Sequence, residues 1–214
     1  MKIGIIGAGN VGGTLGRILA SKGHSICFGV RTPQNEKVVS LLTTIAGKAC
    51  ADTIEAAASF GEAIVLATPW MATQEAIAQA GNLSGKIVID CINPIEMTPN
   101  GLAQGLLVGH TTSAAEEIAN WATGAKVVKA FNNIGASQFE NLTYGSQVAS
   151  TFICGDDEEA KKVVTSLAKD IGFEVVDVGE LNKARLLEPL GMIWIHLAIF
   201  RGYGQEFSIN LIKR

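Results

Sequence analysis

The chain has 214 residues, a formal net charge of −3 and a pI near 5.6. This length allows one large domain, or one domain with a smaller companion, and is too short for two large domains. The small acidic excess provides no basic surface for nucleic acid, so no nucleic-acid partner is expected. The most apolar stretch, over 186–200, contains Glu188 and His196 and is shorter than a bilayer requires, so no membrane partner is expected either.

The first segment combines a predicted strand, a glycine-rich turn and a predicted helix. The apolar run at 2–6 predicts the strand, and Gly7-Ala8-Gly9-Asn10-Val11-Gly12 follows it and opens a helical stretch. This order is the dinucleotide-binding fingerprint. Gly7 permits the tight turn, Gly9 lets the backbone approach a pyrophosphate, and Gly12 lets the helix pack close to the sheet. The phosphates are expected on the free N–H groups at the start of the helix, beside Asn10 and Val11.

The end of the second predicted strand, over 24–30, indicates which dinucleotide binds. A site for NAD usually has Asp or Glu about 20 residues further on, where the carboxylate bonds the ribose hydroxyls. This chain has Arg31-Thr32-Pro33 there, and the guanidinium and hydroxyl groups suit a 2′-phosphate. NADP is therefore favoured as the cofactor. The alternative is that Arg31 is an ordinary solvated arginine at the end of a strand.

Helical and apolar strand-like segments alternate through the rest of the chain. In order, the pattern predicts a helix over 34–46, a strand over 48–51, a helix capped by Asp52 or Thr53, a strand over 63–67, a helix over 71–80, a strand over 86–90, a helix over 113–122, a strand over 126–130, a strand over 151–154, a helix over 157–170, a strand over 173–177 and helical structure from 182 onward. This alternation predicts an α/β fold, a Rossmann doubly wound parallel sheet covered on both faces. We expect an NADP-binding domain over 1–140. A small C-terminal α/β domain over 141–214, ending in helices, would hold the acceptor site and dimer contacts.

Ligands in an open α/β sheet bind outside the carboxyl ends of its strands. Beyond the residues already named, the predicted strand ends carry Thr68, Pro69, Trp70, Asn93, Asn132, Asn133 and Ile134. Small polar and amide side chains at such positions can bond the nicotinamide carboxamide and the riboses. No histidine or lysine stands at these predicted ends, so no catalytic proton donor is assigned. Hydride exchange between a nicotinamide and a flavin-like ring fits best, because the ring nitrogens take up the charge without acid–base help.

The cysteines and one histidine are interpreted as structural residues. The four cysteines, Cys27, Cys50, Cys91 and Cys154, are widely spaced and form no CxxC pair. We expect all four to be reduced core residues, which suits a cytoplasmic protein, and we expect no metal site. His196 lies within an apolar helical run and is expected to be a core residue.

Five segments carry a resemblance to a known family, the F420-dependent NADP oxidoreductases. They are 7–12, Ala67-Thr68-Pro69-Trp70, 128–136, Cys154-Gly155-Asp156-Asp157 and Ala184-Arg185-Leu186-Leu187-Glu188. The resemblance implies a homodimer in which hydride passes between the nicotinamide of NADP and a deazaflavin, coenzyme F420. It also implies the site residues: Arg31 and Thr32 at the 2′-phosphate, Asn133 and Ala136 at the cofactor, and Asn132, Ile134 and Arg185 at the substrate.

This chain departs from the archaeal members of that family at the acceptor side. It has Asn132 where they have a histidine, and Pro189 and Gly191 where they have small hydroxyl residues. FMN or FAD therefore stays open as the acceptor in place of F420. Two other functions also stay open: a reductase of a small imine or 3-hydroxy acid, and a non-catalytic NADP sensor. An open, ring-sized slot beside the nicotinamide would favour the enzyme, and a filled slot would favour the sensor.

Overall fold

The computed structural model describes residues 1–45, 47, 49–98 and 101–214. In this part of the chain the strands are β1 (Lys2–Ile6), β2 (Ser25–Gly29), β3 (Ala49–Asp52), β4 (Ala63–Leu66), β5 (Ile87–Asp90), β6 (Ile95–Thr98), β7 (Gly101–Leu106), β8 (Lys126–Lys129), β9 (Thr143–Tyr144), β10 (Gln147–Val148), β11 (Ser150–Gly155) and β12 (Glu174–Asp177). The α-helices are α1 (Asn10–Ser21), α2 (Glu36–Thr43), α3 (Ile54–Phe60), α4 (Trp70–Ala80), α5 (Ala114–Trp121), α6 (Glu158–Ile171) and α7 (Ala184–Ile195), and a π-helical turn, His196–Phe200, continues α7.

Eight strands form one sheet in the order β12-β11-β8-β5-β4-β1-β2-β3. Neighbours in this sheet are parallel except β8 and β11, which are antiparallel. Strand β1 lies between β2 and β4, so the chain leaves β1 toward one edge and returns to start β4 on the other side. A crevice opens at the carboxyl ends of the strands at such a reversal of strand order. The predicted doubly wound α/β sheet is confirmed.

Helices cover both faces of the sheet because its central strands are apolar on both faces. Along β1, Ile3 and Ile5 belong to one buried cluster and Ile6 belongs to another. Successive side chains of a strand point to opposite faces, so these two clusters lie on opposite sides of the sheet. Strand β4 divides in the same way, with Val65 on the first side and Leu66 on the second.

Several predicted elements have different bounds in the structure. The helical structure predicted from 182 onward, which was expected to end the chain, stops at Phe200, and residues 201–214 form neither helix nor strand. The helix predicted over 34–46 is α2, which begins later because the Asn35 side chain caps it by accepting a hydrogen bond from the Lys37 N–H. The strand predicted over 48–51 is β3. Residues 46 and 48 lie outside the described part of the chain. Of the two caps considered for α3, the side chain of Thr53 accepts from the Ala56 N–H, so Thr53 is the capping residue.

Two antiparallel pairs were absent from the sequence prediction. Strands β6 and β7 pair with each other and connect β5 to the segment before α5, and β9 pairs with β10. The main sheet also continues past residue 140, because β11 hydrogen-bonds to β8. The division into domains at 140/141 stays a prediction.

The expectation that all four cysteines lie in the core is wrong for one of them. All four are free thiols, and Cys27, Cys91 and Cys154 are buried, but Cys50 is exposed. Its strand, β3, is the edge of the sheet, and Cys50 lies on the outer side of that strand's alternating pattern. Burial raises the pKa of Cys27 and Cys154 to about 12, so both thiols stay protonated.

Among the described residues, no helix has the length and apolar character to cross a bilayer.

Candidate functional site

The glycine-rich turn has the geometry that the fingerprint requires. Gly7 has a φ of +105°, and a Cβ there would lie 2.5 Å from the Ala67 carbonyl oxygen. A Cβ on Gly12 would lie 2.0 Å from the Gly7 carbonyl oxygen, so α1 can approach β1 only with glycine at this position. Among the described atoms, nothing lies within 4 Å of a Cβ built on Gly9, which leaves the turn open to a ligand.

The start of α1 is available to an anion. Gly9 is the N-cap residue, and among the described residues no side chain caps the first turn, where Asn10 and Val11 stand. The first N–H groups of a helix have no partner inside the helix, and the positive end of the helix dipole lies with them. Together these features suit the binding of phosphate groups.

A cavity of about 410 Å³ extends from this turn across the ends of β1, β2 and β4. Its lining includes Gly7 and Gly9 at the turn, and Arg31 and Thr32 after β2, as the sequence predicted. Thr68 and Pro69, which follow β4, form part of the opposite wall, together with Glu75 of α4.

The cavity has a second cation that the sequence analysis missed. Lys37, in the first turn of α2, lines the cavity together with Arg31. The cap at Asn35 was the available signal, because it fixes where α2 begins and places Lys37 near the end of β2. Two cations and the Thr32 hydroxyl at one end of a cavity can hold a phosphate dianion.

Trp70 lies apart from the cavity. It is the first residue of α4, and its indole stacks on that of Trp121 in α5, with ring centroids 5.2 Å apart. The hydroxyl of Thr68 hydrogen-bonds to that of Thr73 at 2.9 Å, and the Thr73 hydroxyl also donates to the Pro69 carbonyl oxygen. These bonds hold the turn between β4 and α4.

The structure brings Asn93 and Asn132 together at the ends of β5 and β8. The Asn132 amide donates to Asn93 Oδ1 at 2.9 Å, and the Asn93 amide donates to the Asn132 carbonyl oxygen at 2.9 Å. The Asn132 amide also donates to the carbonyl oxygen of Leu187 in α7. We call Asn93 and Asn132 the amide pair. A Cβ on Gly191 would lie 2.6 Å from the Asn132 carbonyl oxygen, so glycine at this position lets α7 rest on the amide pair.

The side chains of Asn133 and Ile134 face into the fold. Asn133 is fully buried, and its amide donates to the Ser150 carbonyl oxygen at 2.9 Å, which joins the end of β8 to β11. Ile134 is 5% exposed and belongs to the core. Neither residue lines one of the two cavities described here, so their predicted contacts with a ligand stay predictions. Ala136 begins a short 3₁₀ turn, and Trp194 packs against Gly135 just before it.

The side chain of Arg185 is already paired. Its guanidinium makes two hydrogen bonds to the Glu116 carboxylate, at 2.8 and 2.6 Å, and so joins α7 to α5. Arg185 holds the pKa of Glu116 below its ordinary value of 4.5 through these bonds. The predicted substrate contact would therefore require this ion pair to open.

Replacing Arg185 with leucine is expected to lower the free energy of unfolding only slightly at neutral pH, because both groups of the ion pair are partly exposed to water. Since the pKa of Glu116 is lowered in the folded state, this stability is present above pH 4.5 and is lost as the pH falls through the lowered pKa. Urea denaturation of both proteins at neutral pH and well below pH 4.5 measures the difference. A difference of the same size at both pH values would contradict the assignment.

Lys129 corrects the prediction that no lysine stands at a strand end. It is the last residue of β8 and is fully buried, and its ammonium lies between the carboxylates of Asp90 and Glu188. Burial opposes the charge, but the two carboxylates outweigh it and raise the pKa of Lys129 above its ordinary value. Lys129 stays protonated and has no exposed surface at the carboxyl ends of the strands. It is therefore not a proton donor to a bound ring.

A second cavity, of about 720 Å³, lies between α7 and the segment that follows β7. Its lining is mostly apolar and consists of Leu106, Leu107, Val108, Gly109, His110, Pro189, Met192, Ile193, His196 and Leu197. We call it the apolar slot. It lies close to the amide pair, because the Leu107 N–H donates to the carbonyl oxygen of Pro94 and Gly191 of α7 packs on Asn93. The slot is open to solvent.

The position of His196 also corrects the sequence analysis. It is exposed, borders the apolar slot and stacks on Phe200, with ring centroids 5.8 Å apart. The helical run was predicted correctly, but its apolar residues surround α7 on more than one face, so the pattern did not indicate which face is buried.

Among the described residues, no group of three or more His, Cys, Asp or Glu side chains is placed to hold a metal ion.

Comparison with known proteins gives consistent similarities. Residues 2–94 match a family model described as NADP oxidoreductase, coenzyme F420-dependent. An F420-dependent NADP reductase of Methanocaldococcus jannaschii is 33% identical over 160 residues, which cover 73% of this chain and 71% of the relative. An F420-dependent NADP reductase of Methanothermobacter marburgensis is 31% identical over 211 residues, which cover 93% of each chain.

A solved structure has the same fold over its whole length. It is the crystal structure of a candidate F420-dependent NADP-reductase from Arthrobacter sp. FB24, and it superposes with a TM-score of 0.88 at 31% identity. The superposition covers 99% of this chain and 100% of that chain. The similarity therefore includes the strands and helices after residue 140 as well as the glycine-rich turn.

Proposed function

Because this chain belongs to the family of F420-dependent NADP oxidoreductases, we propose that it transfers hydride between NADP(H) and coenzyme F420. The resemblance predicted from the sequence is confirmed. The observation that carries the proposal is the presence of two features along the carboxyl ends of the strands: a cavity lined by the glycine-rich turn and two cations, and an open apolar slot beside the amide pair. A dinucleotide bound across such an edge would have its adenylate in the first and its nicotinamide near the second.

The NADP end of the site follows from the charges and glycines of this chain. Arg31, Lys37 and Thr32 would hold the 2′-phosphate, which distinguishes NADP from NAD. The turn over 7–12 and the start of α1 would hold the pyrophosphate. Thr68 and Pro69 would border the ribose and adenine.

The acceptor end of the site supports a ring-shaped substrate. The apolar slot is open and lined by Pro189, Met192 and Ile193, with imidazoles of His110 and His196 at its border. An apolar wall packs on an aromatic ring, and imidazole donors can bond its polar edge. An open slot favours the enzyme over the NADP sensor. The names of the relatives point to F420 and not to FMN or FAD.

The chemistry needs little from side chains. Reduction of F420 by NADPH moves one hydride from the nicotinamide to the deazaflavin and takes one proton from water onto a ring nitrogen. The protein would bring the two rings together and exclude water from between them. Of the described side chains that line the slot, His110 and His196 are the ones that could donate a proton. Hydride transfer to a deazaflavin would not depend on them, because the ring nitrogens take up the charge.

Transient kinetics of NADPH oxidation tests the proposal. Purified protein is mixed with NADPH and with F420, FMN, FAD or a cyclic imine in parallel reactions, and NADH serves as the control. Rapid oxidation with F420 alone is the expected result. Rapid oxidation with a flavin or with the imine would mean that this compound, and not F420, is the acceptor. Tight NADPH binding without oxidation by any acceptor would favour the NADP sensor.

We also propose that the protein forms a homodimer through α7. Leu186, Ile193 and Phe200 lie along α7 and the π-helical turn that continues it, and they are 66%, 53% and 39% exposed. Leu186 and Ile193 are seven residues apart within α7, so they share one helical face. Several exposed apolar side chains along one helix are typical of subunit interfaces. The four free cysteines suit the reducing cytoplasm, which we propose as the compartment.

Replacing Leu186 with glutamate is expected to shift the protein from dimer to monomer, because each copy would bury a charge in the interface. Light scattering after size-exclusion chromatography measures the mass. Met71→Glu is the matched control, since Met71 is 80% exposed and lies on α4. A dimeric L186E, or a protein that is monomeric before any substitution, would contradict this interface.

A further inference from the structure

A buried cluster of charges joins the segments that carry the amide pair. Its centre is Lys129, whose side chain is 0% exposed. The ammonium lies 2.7 Å from Asp90 Oδ2 and 3.1 Å from Glu188 Oε1, and it also donates to the carbonyl oxygen of Ile92. These three acceptors match its three N–H donors. We call Asp90, Lys129 and Glu188 the lysine cluster.

The two carboxylates of the lysine cluster are also fully engaged. The other oxygen of Asp90 accepts from the Ile92 N–H at 2.8 Å. The Glu188 carboxylate accepts from the N–H groups of Ala114 and Ala115, at 3.0 and 3.2 Å. These N–H groups belong to the first turn of α5, where the helix dipole favours a negative charge. The cluster therefore joins β5, β8, α5 and α7 through directional bonds.

Stability alone does not explain why these residues are charged. A buried ion cluster can often be replaced by well-packed apolar residues without loss of stability. Charged and hydrogen-bonded groups hold the segments that carry them in a defined relative position. Here those segments adjoin both members of the amide pair. Ile92 precedes Asn93 in the turn after β5, and Glu188 follows Leu187, whose carbonyl oxygen accepts from the Asn132 amide.

We infer that Lys129 is a positioning residue for hydride transfer. By bonding the turn after β5 and the first half of α7, it fixes the amide pair and the adjoining wall of the apolar slot. This inference rests on the proposed function, since it assumes that the two rings meet beside the amide pair. Lys129 itself touches neither ring, because its side chain has no exposed surface.

The expected signature is a loss of rate without a loss of cofactor affinity. A displacement of about 1 Å at a reacting centre can cost about a hundredfold in rate. We expect Lys129→Met to slow hydride transfer by about ten- to a hundredfold. The dissociation constant of NADPH is expected to change by less than about twofold, because the residues proposed to bind its phosphates lie in the turn after β1, at the start of α1, after β2 and in α2.

The chain provides a matched control. Lys161 is 5% exposed and pairs with two carboxylates, those of Glu158 at 2.8 Å and Asp177 at 2.9 Å, but it joins α6 to β12 and lines neither cavity. Lys161→Met therefore removes the same kind of group away from the rim. Because Lys129→Met alone leaves two buried carboxylates without a counter-ion, the neutral triple variant D90N/K129M/E188Q is measured beside it.

Each variant is examined by circular dichroism, NADPH titration and single-turnover hydride transfer to F420. Slow transfer by K129M or the triple variant with unchanged NADPH affinity, and normal transfer by K161M, is the expected result. Normal transfer by a folded Lys129 variant, or an equal loss in K161M, would overturn the inference. If neither Lys129 variant folds, the lysine cluster is needed for stability, and the inference of a positioning role is also overturned.

The fluorescence of bound NADPH separates this inference from the proposed function. If the unaltered protein transfers no hydride to F420, the proposed function fails. The emission of bound NADPH still shows whether Lys129 affects the surroundings of the nicotinamide. Nicotinamide emission that changes in the Lys129 variants at equal affinity, and not in K161M, would support the positioning role. Emission that is the same in all variants would refute it.

Discussion

Replacing both Arg31 and Lys37 with alanine is expected to weaken NADPH binding by about 3–4 kcal/mol, a loss of several hundredfold in affinity, while NADH binding stays within about threefold. Both cations line the same cavity as Thr32. A hydrogen bond to a charged group contributes about 1.5–3 kcal/mol. The two contributions are not fully additive, because both cations would contact one phosphate.

The single variants divide this effect between the two side chains. Arg31→Ala is expected to cost about 1–3 kcal/mol, since it removes the planar group that can bond two phosphate oxygens. Lys37→Ala is expected to cost less, because an ammonium on a flexible stem is less well oriented than a guanidinium. Lys22→Ala, at an exposed position after α1, controls for the change in net charge.

Fluorescence titration with NADPH and NADH gives two dissociation constants for each variant, which are compared with the two of the unaltered protein. Equal losses for the two nucleotides would mean that the cations contact a group which both share, and the 2′-phosphate assignment would be wrong. Unchanged binding in R31A would support the alternative that Arg31 is an ordinary solvated residue. The salt dependence of NADPH binding is expected to decrease in the double variant.

Local patterns were enough to predict that the glycine-rich turn and the end of β2 meet at one cavity. The apolar run of β1, the glycines of the turn and Arg31 all act on neighbours in the sequence, so their spacing determines their geometry. The structure places Arg31 and Gly9 in one cavity for that reason. The family resemblance then extended the prediction to the acceptor, which no local pattern could identify.

The acceptor half depends on contacts between residues far apart in the chain. A lysine at the end of an apolar strand gives no sign of whether it is exposed, and Lys129 is buried only because Asp90 and Glu188 meet it from two other elements. Likewise, Trp70 was expected at the rim, but a stacking partner in α5 holds its ring elsewhere. Pairings of this kind require the tertiary structure.

The bounds of one helix determined whether the second cation could be found. Starting the second helix at residue 34 leaves the direction of the Lys37 side chain undefined with respect to β2. The Asn35 cap starts α2 at Glu36 and turns Lys37 toward the cavity. Capping residues are therefore informative about ligands when a helix begins beside a binding site.

Gly12→Ala is expected to abolish measurable NADPH binding and to lower the free energy of unfolding by several kcal/mol. A Cβ at Gly12 would lie 2.0 Å from the Gly7 carbonyl oxygen and 3.1 Å from the Ile5 side chain. The first contact is with backbone, which cannot rotate away, so α1 must move off the sheet. Such a movement displaces the N–H groups that would bind the pyrophosphate, and stability and binding fail together.

The adjacent glycine provides the control for this variant. A Cβ at Gly13 would first meet the end of the Leu41 side chain, at 3.4 Å, which is an ordinary contact. Gly13→Ala is therefore expected to preserve NADPH binding and to stabilise α1 by about 0.5–1 kcal/mol, because alanine loses less conformational entropy than glycine in a helix. Thermal unfolding and NADPH titration of both variants measure the contrast. Normal NADPH binding by G12A would show that close packing of α1 on β1 is not what forms the phosphate site.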